Sequence, residues 1–178
     1  MTELSNTAKP QAPMGPLEER ATWLAYAGLL PFLGTAFYIW FSPLVFPANY
    51  AYALLRWELL YGAIILSFMG GIRWGLAMLN NKTISEYVTL NQLTNSVIPP
   101  LVGWLAVIPA NLIPGIAPTY VVRHLVLLIA FVLLMQADRN ASRDGFAPAW
   151  YGPLRLKITM FLSLIFILSM MRMMSLGW

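Results

Sequence analysis

The sequence predicts an all-α integral membrane protein: a bundle of five transmembrane helices with its N-terminus in the cytoplasm and its C-terminus outside. Three observations predict it. Hydrophobic residues make up 59% of the chain and charged residues 10%, against about 45–50% and about 25% in soluble domains. Apolar runs recur at the length needed to cross a hydrocarbon core, about 20 residues. Tryptophans mark the run ends: Trp23, Trp40, Trp57 and Trp74 recur every 17 residues, and Trp150 and Trp178 also fall at run ends. Indole rings favour the headgroup level, so these six form a belt.

At 178 residues the chain has the length of about one domain. The opening stretch, MTELSNTAKPQAPMGPLEER, is polar and Pro-rich. It lacks the basic start, apolar stretch and cleavage site of a signal peptide. Residues 1–19 therefore read as a mobile polar tail, and residues 20–178 as a single membrane domain.

The first span is Ala21 to Phe41, with no charge in 21 residues. Pro31 inside it predicts a kink, because proline removes a backbone donor. The second span is about Leu54 to Met78 and the third Val97 to about Ile113. The third, within VIPPLVGWLAVIPANLIPGIAP, carries several prolines; Pro99 and Pro114 fall near its ends, which singles out Pro109 as a helix breaker at membrane depth. The fourth span is about Tyr120 to Ala137 and the fifth about Leu154 to Leu176. The segments between them are rich in Pro, Gly, Asn and Ser, the residues that mark loops. Five spans put the N-terminus and the loops after spans two and four on one side. That side holds 8 Lys and Arg and the other side 3. Positive residues collect in the cytoplasm, which sets the orientation.

The charges within the apolar runs have a pattern. Glu58 and Arg73 lie 15 residues apart on span two, and Arg123 and Asp138 lie 15 apart on span four with the signs reversed. The two spans run in the same direction. Side by side at one depth, Glu58 meets Arg123 at the outer leaflet and Arg73 meets Asp138 at the inner leaflet. Charges near lipid are far less costly paired than alone. His124 and Arg155 are placed to join the outer and inner clamps. The competing interpretation is that each charge simply anchors a helix end; Lys157 and Arg172 on span five are 15 apart as well. Gly71 and Gly75, extended by Ser67 and flanked by Gly70, form a stripe of small residues that predicts close helix docking. Trp104 lies mid-span, either as helix packing or, with Pro109 and His124, as the wall of a cavity.

Several stretches resemble a known family. They are YGAIILSFMGGIRWG (Tyr61 to Gly75, which includes Trp74), GLLPFLG (Gly28 to Gly34), IPPLVGW (Ile98 to Trp104), Asp138, and WYGPLRLKIT (Trp150 to Thr159, which includes Arg155). Together they resemble the transmembrane protein 69-like family, small membrane proteins carrying a domain of unknown function. The resemblance implies a multi-pass protein of an energy-coupling membrane, here the bacterial inner (cytoplasmic) membrane. It brings no established activity and no catalytic residues.

The residue inventory argues against an enzyme. The chain has no cysteine and 1 histidine, so no metal site and no cofactor are expected. No P-loop, dinucleotide fingerprint or HExxH occurs. Ser67 and His124 fall at different depths, too far apart for a dyad. Ten methionines read as apolar filler. The positive surplus is scattered, so no nucleic acid is expected as partner. The expected partners are the lipid bilayer and another membrane protein or complex. Two functions fit: an accessory or assembly scaffold, or a carrier of a small molecule or lipid with a cavity around the third span.

Overall fold

A computed structural model describes residues 15–80, 86–109 and 119–177. Among them are six helices and no strand: α1 Pro16–Ala27, α2 Leu30–Phe41, α3 Asn49–Asn80, α4 Glu86–Val107, α5 Tyr120–Arg143 and α6 Tyr151–Leu176. Four stretches are long and apolar enough to cross a membrane: Pro16–Phe41, Asn49–Leu79, Tyr120–Arg143 and Tyr151–Leu176.

The first stretch breaks at Gly28 and Leu29 rather than at Pro31. Proline lacks the N–H that would bond to the carbonyl four residues earlier, here that of Ala27. α1 therefore ends at Ala27, and Pro31 falls in the first turn of α2, where its missing donor costs nothing. The Tyr61 hydroxyl donates to the Gly28 carbonyl at 3.0 Å and ties the break to α3.

The third predicted span differs most. α4 begins at Glu86, eleven residues before Val97, and ends at Val107. Its first half, EYVTLNQLTNS, is polar, so α4 is not among the helices apolar enough to span. Pro99 and Pro100 therefore lie inside the helix, while Pro109 lies beyond its end and is exposed. The rest of the expected span, 110–113, lies outside the described residues.

These prolines sit at a close approach between α3 and α4. Pro100 has no N–H, which frees the carbonyl of Ser96 one turn back. α3 approaches that carbonyl at Gly70, where a Cβ would stand 2.6 Å from Ser96 O and 2.9 Å from Pro100 Cδ. Two turns along, a Cβ on Gly103 would come within 3.0 Å of Ala63 Cα. Only glycine admits such a backbone approach, and it lets Cα–H groups face the freed oxygen. The predicted stripe of Ser67, Gly71 and Gly75 is thus corrected. Ser67 and Gly71 are exposed, and a Cβ on Gly71 or Gly75 would meet nothing within 4 Å. The docking glycine is Gly70, about 100° around the helix from Gly71.

The helices close a ring in which α2, α3, α4, α5 and α6 each pack on the next and α6 returns to α2, while α3 touches α5 across the middle. Phe32, Leu59, Leu66, Leu127, Phe131, Leu162 and Phe166 fill the centre. Phe166 meets Phe32 and Phe131 edge-on, with centroids 5.4 Å and 6.3 Å apart. At the far end of α6, Arg172 donates to the carbonyls of Ser42 (2.6 Å) and Ile39 (3.4 Å). It thereby satisfies the C-terminal carbonyls of α2, which no intrahelical donor can reach.

Candidate functional site

α5 continues past Ala137 to Arg143, so Asp138 sits inside the helix rather than in a loop. Its carboxylate is 1% exposed. Arg73 of α3 donates to Oδ1 at 3.1 Å, and the Arg155 Nε of α6 donates to Oδ2 at 2.9 Å. The Tyr151 hydroxyl also donates to Oδ2, at 3.3 Å. The side chains of Arg73 and Arg155 are 14% and 9% exposed. Sequence reasoning had paired Arg73 with Asp138 and set Arg155 beside them; the structure brings all three together. Tyr151 was missed. Its signal was its spacing, since residues 151 and 155 lie one turn apart on the same helix face.

The cluster does not balance. Arginine stays charged in proteins, so two guanidinium groups on one carboxylate leave one positive charge in excess. Arg155 Nη2 is buried and has no hydrogen-bond partner.

At the opposite end of α3 and α5 the predicted pair is corrected. Glu58 meets His124, not Arg123: Oε2 lies 3.3 Å from Nε2, and both side chains are 0% exposed. Consecutive helical residues point about 100° apart. His124 faces the interior and lies edge-on to Phe166, whereas Arg123 turns toward α4, where Nη1 donates to Ala106 O at 3.5 Å. The other ring nitrogen of His124, Nδ1, lies 2.7 Å from Tyr120 O. A carbonyl can only accept, so Nδ1 carries a proton.

Among the described residues, Trp104, Pro109 and His124 are not brought together around a cavity. Trp104 is 61% exposed and His124 is 0% exposed, so the indole faces outward while the imidazole is sealed in the core. Trp74 also faces outward, and its Nε1–H points at Met78 Sδ, 3.1 Å away. A cavity of about 550 Å³ lies elsewhere, between α1, α2, α3 and α6, with Phe131 of α5 also on its wall. Leu24, Phe32, Ile65, Met69, Leu154 and Leu162 supply apolar surface, and Trp150, Tyr151 and Arg155 also line it. A second space of about 440 Å³, between α4 and α5, is bounded by Arg73, Asn95 and Pro99. No group of three or more His, Cys, Asp and Glu able to hold a metal occurs among the described residues.

A family model described as "Protein of unknown function (DUF3429)" matches residues 17–171. The chain belongs to that family. The matched region contains the Arg73–Asp138–Arg155 cluster, the Glu58–His124 contact, the Gly70–Ser96 contact and the residues that line the cavity of about 550 Å³. The chain is also similar to Transmembrane protein 69 of Xenopus tropicalis, 38% identical over 88 residues, which cover 49% of this chain and 32% of that relative. The match thus spans about a third of the curated relative's length. No solved structure matches the DUF3429 chain.

Proposed function

We propose that this protein is a non-catalytic, five-span component of an energy-coupling membrane that serves as an accessory or assembly frame for a larger membrane complex. The fifth crossing in this proposal is α4. The excess of Lys and Arg on the side shared by the N-terminus and the α3–α4 and α5–α6 connections supports a cytoplasmic N-terminus.

One observation carries the frame reading. Glu58–His124 and Arg73–Asp138 tie the same two helices at both ends. The tied residues on α3 are 15 apart, about 22 Å along the axis at 1.5 Å per residue. Two ties that far apart fix rotation as well as distance, so α3 and α5 act as one strut. A strut of fixed register presents a constant outer surface to a partner. The test is purification of tagged protein from its membrane in a gentle detergent. The expected result is elution with a larger assembly, lost in Asp138→Asn protein that still folds. Elution of the wild type as a lone monomer overturns the proposal. A second reading, a binder of a membrane-soluble molecule, is favoured by the cavity that reaches Arg155.

A further inference from the structure

We infer that the cavity between α1, α2, α3 and α6 is a binding site for one anionic membrane lipid, with an acyl chain in the apolar bore and the headgroup on Arg155. The inference stands independently of the frame reading.

Three observations meet there. The first is shape. The cavity volume of about 550 Å³ lies within the range of about 300–1,000 Å³ typical of ligand sites. α1 packs on α6 and barely meets α3, which leaves a cleft on that side. Leu24 and Phe68 on the cavity wall are 74% and 62% exposed, so the cleft opens onto the apolar outer surface and a chain can enter from the bilayer.

The second is polarity along the bore. Its α2 end is walled by Phe32 and Leu162, and its other end by Trp150, Tyr151 and Arg155. Trp150 marks the headgroup level. An acyl chain beside Phe32 therefore carries its headgroup toward Arg155.

The third is charge. Asp138 neutralises one of the two guanidinium groups it binds. Arg155, whose side chain is 9% exposed, lines the cavity, and its Nη2 is buried with no hydrogen-bond partner among the described residues. An unpaired guanidinium N–H in apolar surroundings is costly, and a phosphate oxygen is the acceptor that suits it. A neutral occupant would fill the bore and leave the excess charge in place. A lipid of net negative charge supplies the missing counter-charge.

The experiment uses the full chain in detergent, with phosphatidylglycerol and phosphatidylcholine of identical chains as probes and native mass spectrometry as readout. The expected result is one retained equivalent of phosphatidylglycerol, at least tenfold over phosphatidylcholine, and no thermal stabilisation by inorganic phosphate alone. Ala25→Phe and Ile65→Trp fill the bore without touching the ion cluster, and each is expected to abolish retention. Their melting temperatures without lipid read folding separately. Arg155→Gln is expected to keep chain binding and lose the preference for negative charge. Equal retention of the two lipids by the wild type overturns the inference, as does wild-type retention by both folded bore-filling variants.

Discussion

Asp138 receives donors from two other elements of the fold and one of them, Arg155, approaches within 2.9 Å. It is therefore the hub, and the two arginines are not equivalent to it. Removing Asp138 leaves two buried guanidinium groups without a counter-charge; removing Arg73 leaves Asp138 still paired with Arg155. We expect Asp138→Asn to destabilise the bundle by about 3–5 kcal/mol, and Arg73→Gln by about 1–3 kcal/mol, in equilibrium unfolding from detergent. A charge exchange, Arg73→Asp with Asp138→Arg, should fail to restore stability. The arginine at 138 would then face Arg155, and rescue to wild-type stability would show that Arg155 is a bystander. The opposite pair responds differently. His124 Nδ1 already donates to Tyr120 O, so the amide introduced by Glu58→Gln can donate to Nε2 and keep the bond. We expect it to cost less than about 1 kcal/mol, whereas His124→Leu strands the carboxyl group and costs about 3–5 kcal/mol. The two variants compared in one unfolding series check this.

At the scale of elements, the α3–α4 crossing depends on one glycine. A Cβ at Gly70 meets a backbone oxygen at 2.6 Å, and backbone cannot swing aside as a flexible side chain can. Gly70→Ala is therefore expected to force the helices apart, at a cost of at least about 2 kcal/mol, in the range of overpacking. Gly71→Ala, in open space, should be neutral or stabilise by about 0.5–1 kcal/mol, since alanine is the better helix former. The reverse ranking in thermal denaturation would place the docking face where the small-residue stripe put it. α1 and α2 show the same dependence on a single backbone feature: the break falls where Pro31 leaves Ala27 O without a donor.

For the whole molecule, the chain contains no cysteine, so single cysteines can report topology without a background. With the proposed orientation, cysteines introduced at Gly145 and at the N-terminal tail should resist a membrane-impermeant maleimide in intact cells, and one at Gly177 should react. Gly177 resisting the reagent together with the N-terminal tail, while Gly145 reacts, would remove the fifth crossing. The ring of helices also explains why the ionic clusters lie where they do. α3 touches α5 across the ring, and α6 brings Arg155 to the same point from the far side of α5. Three helices thus meet at one carboxylate.

Composition and run length determined the helical membrane class, because the hydrocarbon core sets both the length and the polarity of whatever crosses it. Equal spacing of opposite charges determined that α3 and α5 lie in register, and it brought Arg73 to Asp138 correctly. Spacing along an axis carries depth but not azimuth, so it could not choose between His124 and Arg123 as partner of Glu58, or between Gly70 and Gly71 as docking residue. Those choices depend on which way each helix is rotated, and rotation is decided by the packing of all neighbours at once. The cavity has the same origin. Its wall comes from five helices, and no local stretch of sequence records the gap that α1 leaves when it leans on α6 instead of α3.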